Sequence, residues 1–157
     1  MSAIDLLIEG LSALLGTLGF SMLFGLRRRD RLIVSTIGGV LAWGAYAVMR
    51  YFIPDDLVTC NFIPAVVGTM YSQIMARVMR APATLFMFPS IIVLVPGGML
   101  YYTMSSFILG NSSEGVRLML NTVKVTVGLA LGIVIVMALT KLIYHIADKK
   151  ILRRKRR

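Results

Sequence analysis

Five long apolar runs, separated by short polar turns, limit what this chain can become more than any other feature. They extend from about Leu6 to Leu26, Leu32 to Tyr51, Leu57 to Ala76, Thr84 to Leu109 and Leu118 to Tyr144. A hydrocarbon core about 30 Å thick takes roughly 20 helical residues to cross. No water reaches backbone N–H and C=O groups there, so each run must satisfy them internally, as a helix does. Hydrophobic residues make up 57% of the chain and charged residues 15%, with a mean hydropathy of +0.81. A soluble domain carries about 25% charge, so the apolar surplus here faces lipid. The expected fold is an all-α integral membrane protein, a bundle of five transmembrane helices. One transmembrane domain covers residues 1–148, and a basic tail covers 149–157.

The net charge of +10 is distributed as a topology signal rather than as a nucleic-acid surface. Arg27, Arg28, Arg29 and Arg31 follow the first run, Arg77 and Arg80 follow the third, and the last cluster lies between Lys149 and Arg157. No polar face interleaves basic and aromatic residues, as a nucleic-acid binder would. The remaining loops hold Asp55 and Asp56, or Glu114 with Arg117. The positive-inside rule then places the N-terminus outside and the C-terminus in the cytoplasm. An odd number of spans requires that the two ends lie on opposite sides. The segment Met1–Glu9 contains acidic residues and no basic n-region, so a cleaved signal peptide is not expected. Cys60, the single cysteine, can form no internal disulfide and has no accompanying zinc or redox motif.

The third run carries a stripe of small and polar residues at helical spacing: Asn61, Ala65, Gly68, Thr69, Ser72, Gln73 and Ala76. Lipid favours large apolar groups, so this stripe faces protein or water. Gly68 and Ser72 read as helix-packing positions. Asn61 and Gln73 read equally as packing groups or as one wall of a polar pathway, because buried amides need several partners. The fourth run contains Pro89-Ser90 and then Pro96-Gly97-Gly98. Proline at 96 lacks an N–H, so the Ile92 carbonyl is expected to lose its helical partner. The paired glycines permit torsions that other residues resist. A break near midmembrane follows, tolerated only beside protein or a wet cavity. A half-helix starting there would direct free N–H groups toward a carboxylate. A simple proline kink is the alternative.

The fifth run holds Asn121, Lys124 and Gly128 on roughly one face, and Gly128 with Gly132 forms a close-packing motif. Lys141 lies 17 residues beyond Lys124, or roughly 25 Å at the helical rise. That spacing suits two lysines reaching opposite interfaces, and a buried anion-binding role for Lys124 is the alternative. Glu9 and His145 lie near span ends without a recognisable partner. Trp43 lies nearer midspan, and the tyrosines at 46, 51, 101 and 102 include interface anchors. No constellation for hydrolysis, metal or nucleotide binding is present, so neither an enzyme nor a cofactor is expected.

The run Val67-Gly68-Thr69, the loop Ala76-Arg77-Val78-Met79-Arg80-Ala81-Pro82-Ala83-Thr84, and then Pro89-Ser90 and Val95-Pro96-Gly97-Gly98 resemble the bacterial threonine/serine exporter family. The likeness is to the small five-helix subunit that corresponds to the C-terminal half of fused members. Tyr101 or Tyr102 supplies the aromatic that follows the Val-Pro-Gly turn, and Gly19-Phe20-Ser21-Met22-Leu23-Phe24 adds support. The resemblance implies secondary transport in the bacterial inner membrane. Threonine and serine are the implied substrates, or dicarboxylates in two-component relatives. It also implies a larger partner subunit with a soluble N-terminal region and five helices of its own. Two such odd modules inserted oppositely would form an inverted repeat. On this reading Pro96, Gly97 and Gly98 line the substrate pathway, with Ser90, Asn61, Gln73 and Lys124 as further candidates. A scaffold subunit using the third-helix stripe as its interface, and an anion channel, are the competing readings.

Overall fold

The computed structural model describes the backbone of residues 3–155 and the side chains of residues 4–146. Every regular element in it is helical: α1 (Ala3–Leu23), α2 (Arg29–Phe52), α3 (Leu57–Val78), α4 (Thr84–Ile92), α5 (Gly97–Ile108) and α6 (Ser112–Lys155). Among the described residues four helices are long and apolar enough to cross a membrane, and there are five if α4 with α5, bent by 53°, is taken as one broken span. α1, α2 and α3 are roughly 32–36 Å long at 1.5 Å per residue, matching a bilayer core. α6 has 44 residues and is about 66 Å long. It therefore projects well beyond the hydrocarbon and continues into the segment read as a tail. The side chains of the tail cluster lie outside the described residues.

The helix ends follow from local chemistry. α1 stops at Leu23, three residues short of the expected Leu26, because Gly25 adopts φ +80°. Gly25 N–H then donates to Met22 O at 3.0 Å and Leu26 N–H to Ser21 O at 3.1 Å, a Schellman closure. Gly110, with φ +79°, closes α5 in the same way. Arg80, with φ 48°, does so after α3 although it is not glycine. Asp56 caps α3 by accepting from the N–H groups of Val58 at 3.1 Å and Thr59 at 3.3 Å, and it also accepts from the Thr59 hydroxyl. These hydrogen bonds, chiefly the one from the Thr59 hydroxyl, hold the Asp56 carboxyl below the usual carboxylate range.

The interior inverts the pattern of a soluble core. Among the described residues the largest fully buried side chains are Phe86, Thr17, Thr69, Pro64, Pro89, Ser21, Ser35, Ser72 and Ser90, so most of them are small or polar. Large apolar residues lie outside, with Leu7 72% exposed and Leu15 60% exposed. In lipid no hydrophobic force drives helices together, so small residues that permit close approach form the interfaces. A Cβ at Gly39 would overlap Thr17 between α1 and α2, and Ser21 Oγ donates to Ser35 Oγ at 2.8 Å across the same seam. A Cβ at Gly38 would overlap Ser90 of α4. At Gly128 it would overlap the Val58 carbonyl of α3, and at Gly132 it would come within 2.7 Å of Ala65 and of Phe62 O. α3 lies centrally, packed on α2, α4 and α6, and its stripe of Ala65, Gly68, Thr69, Ser72 and Ala76 is buried within this one chain.

Two apolar clusters mark the levels of the bundle. Leu26, Ala76 and Phe86 seal the end that bears the basic loops. Ala42, Ala65 and Leu94, flanked by Tyr46, Leu129 and Ile133, lie in the middle. α4 climbs from the first cluster to the second and ends there. α5 departs at an angle and packs only on α6.

Candidate functional site

The middle of the bundle is where the fourth span breaks. Leu94 N–H donates to Ile91 O at 2.8 Å and Val95 N–H to Ile92 O at 3.2 Å, so the last turn of α4 tightens before Pro96. The Ile92 carbonyl thus keeps a donor, contrary to the expectation that proline would orphan it. What the break frees lies on its other side. Gly97 N–H turns back to Val95 O at 2.8 Å and Leu100 N–H reaches Pro96 O at 3.0 Å, which leaves the N–H groups of Gly98 and Met99 without a backbone acceptor. These are the unsatisfied donors of a new helix N-terminus, where the helix dipole also favours negative charge.

These groups border a cavity of about 460 Å³ above Leu94, at the end of the bundle where α2 gives way to α3. Its wall includes Pro96, Gly97 and Gly98 of the break, Asn61 of α3, and Tyr46 and Arg50 of α2. Asn61 is buried, and its Nδ2 donates to Leu57 O at 2.9 Å. Its Oδ1 receives no hydrogen bond among the described residues. A second cavity, about 470 Å³, lies between α1, α2 and the end of α4 and is bordered by Glu9, Ser12 and Trp43. The two cavities share Tyr46, Arg50 and Val93. Arg50 Nη1 stands 3.3 Å from Glu9 Oε1, and both side chains are about two-fifths exposed, at 45% and 39%. Trp43 packs its ring against Gly10, and its indole N–H is buried without an acceptor among the described residues.

The other residues singled out in the sequence lie elsewhere. Ser90 is buried one turn below the break and donates to Phe86 O at 2.7 Å, so its hydroxyl is occupied within α4. Gln73 is 12 residues beyond Asn61 on α3, roughly 18 Å away at the helical rise. It borders a separate cavity with Arg77, whose guanidinium stacks 3.0 Å over the Tyr144 ring. Lys124 is exposed on α6 and has no ion pair among the described residues. Gly68, Ser72, Gly128 and Gly132 occupy helix interfaces. The sequence reading missed Arg50, and it left Glu9 without a partner. The signal was present: Arg50 is a cation at the span end opposite the basic clusters, and Glu9 lies near the same end of the neighbouring span. Among the described residues no group of three or more His, Cys, Asp or Glu could hold a metal ion.

A cavity of this size is within the range of small-molecule sites. With a guanidinium, free N–H groups and an amide on its wall, it is chemically suited to a small carboxylate. In comparison with known families, the family described as "Threonine/Serine exporter, ThrE" matches residues 9–139, which take in both Glu9 and the whole broken span. Neither the curated proteins nor the solved structures gave a match. The match covers most of the sequence, and its apolar helices supply the expected membrane architecture: the chain belongs to the threonine/serine exporter ThrE family.

Proposed function

We propose that this chain is the small subunit of a secondary transporter that exports threonine, serine or related carboxylates across the bacterial cytoplasmic membrane. Its partner is a larger subunit with a soluble N-terminal domain and a second set of five helices. The observation that carries this reading is the broken span. At midbundle it presents the Gly98 and Met99 N–H groups on a cavity whose one charged wall residue is Arg50. A substrate carboxylate takes these donors, and Asn61 Oδ1 is an acceptor for the substrate hydroxyl or ammonium. Nothing lies within 4 Å of where a Cβ would stand on Gly97 or Gly98, and α5 touches only α6. The break is thus open on the side where a second module related by inverted symmetry would complete the pathway. With the N-terminus outside and the basic loops in the cytoplasm, the cavity belongs to the outer half. Coupling is to the proton gradient.

The scaffold reading is less well supported, because the α3 stripe it would use as an interface is already buried against α2, α4 and α6. Export of labelled threonine and serine, from cells carrying the chain with its partner, tests the proposal. Nothing lies within 4 Å of a Cβ at Gly98, so Gly98→Leu adds bulk at the break without an immediate clash, and export is expected to be lost while the amount of folded subunit is unchanged. Undiminished export would remove the break from the pathway.

A further inference from the structure

Among the described residues, Glu9 and Arg50 are the only charged residues on the walls of the two cavities, and Arg50 stands between them. Arg50 borders both chambers and Glu9 only the second, so their 3.3 Å contact joins a guanidinium of the break cavity to a carboxylate of the neighbouring chamber. Neither group is deeply buried, so either can exchange its partner for a ligand. The second chamber is also bordered by Trp43, whose indole N–H is buried with no acceptor among the described residues.

We propose that Glu9 is the specificity-determining residue for zwitterions. A substrate α-amino acid inserts into the Glu9–Arg50 pair, its carboxylate taking the guanidinium and its ammonium taking the Glu9 carboxylate. This rests on the break cavity being the substrate site. The argument is one of charge balance. At about two-fifths exposure the pair itself is weak, but a ligand seated on it excludes water, and a member left without a counter-charge beneath that ligand is then costly. A zwitterion replaces each member with a group of the same sign, so no charge is stranded. A carboxylate without an amine takes Arg50 and leaves Glu9 unpaired, and a dicarboxylate adds a second negative group against Glu9. An amine without a carboxylate strands Arg50. Discrimination thus arises from the unpaired charge that the wrong ligand leaves behind.

Trp43, the single tryptophan, lies on the same cavity wall and reports on it by fluorescence. The full chain in lipid nanodiscs is titrated with L-threonine, with the hydroxybutyrate that lacks the amino group, and with the amino alcohol that lacks the carboxylate. Threonine is expected to bind at least about tenfold more tightly than either fragment. Glu9→Gln should bring threonine down to the level of the hydroxybutyrate, Glu9→Asp should retain the preference, and Arg50→Gln should weaken both carboxylates. An unchanged threonine-to-hydroxybutyrate ratio in Glu9→Gln would overturn the inference. So would equal binding of all three compounds to the unaltered chain, a result that requires no variant to fold. Gly98→Leu separates this outcome from failure of the underlying site. If Gly98→Leu abolishes threonine binding while Glu9→Gln leaves the ratio unchanged, the site stands and the role of Glu9 falls. If Gly98→Leu has no effect on any ligand, the broken-span site itself falls.

Discussion

Alanine at Gly128 adds one methyl group where α6 crosses directly over the α3 backbone. Its Cβ would overlap the Val58 carbonyl oxygen and lie 3.1 Å from Val58 C and 3.2 Å from Val58 Cα. All three atoms belong to the α3 backbone, so no side chain can rotate away. Carbon atoms rest at about 3.5–4.0 Å, and α3 and α6 must therefore separate locally by several tenths of an ångström or more. Overpacking of this kind costs about 1–3 kcal/mol, against a gain of up to about 1 kcal/mol when alanine replaces glycine within a helix. The obstacle here is backbone, so a net loss of roughly 1–2 kcal/mol is expected. Gly19→Ala in α1 is the control, because nothing lies within 4 Å of its Cβ position, and it should be neutral or slightly stabilising. Unfolding by added SDS in mixed micelles, followed by Trp43 fluorescence, measures both. Gly132→Ala should cost a similar amount, and the double variant less than the sum, because one separation of the helices relieves both clashes. Gly128→Ala as stable as Gly19→Ala would refute the close-packing account. The same separation shifts Asn61, one turn beyond Val58, away from the cavity, so transport should fall with stability.

Two other predictions concern helix ends. Arg80 holds φ 48° in a Schellman closure, a conformation that costs a non-glycine residue about 1–2 kcal/mol. Arg80→Gly should therefore raise stability by about 1 kcal/mol in the same SDS titration, and a loss would show that the arginine side chain compensates. Asp56 has a folded-state pKa below its unfolded value. Its capping contribution is present above the ordinary carboxylate pKa and is lost as pH falls through the depressed folded value. Asp56→Asn should flatten the acid limb of a stability–pH profile except for the part due to Glu114, whose carboxyl is lowered by its hydrogen bond with Arg117. An unaltered acid limb would show that the cap does not titrate with folding.

The candidate site was only half legible in the sequence. Pro96-Gly97-Gly98 and Asn61 could be picked out because a proline followed by glycines, or an amide in an apolar helix, violates the local pattern wherever it occurs. Ser90, Gln73 and Lys124 violate it as well, yet Ser90 satisfies itself within α4, Gln73 lies at the far end of α3, and Lys124 lies on an outer face. Local oddity identifies residues that need an explanation. Whether two of them meet depends on helix rotation, and a rotation of half a turn moves a side chain from a cavity into lipid. Arg50 and Glu9 illustrate the converse. Each has an ordinary explanation at a span end, and only the packing of α1 on α2 brings them together.

The sequence alone determined that this chain is helical and lives in a bilayer, because backbone polar groups in hydrocarbon admit few other solutions. It also located the break, since a missing N–H is a covalent fact. Tertiary structure decided which faces turned inward: the α3 stripe buried within the chain, α5 bent away by 53°, and Glu9 set against Arg50. These depend on glycine-mediated approach between helices remote in sequence, where differences of a fraction of an ångström decide whether the helices can meet.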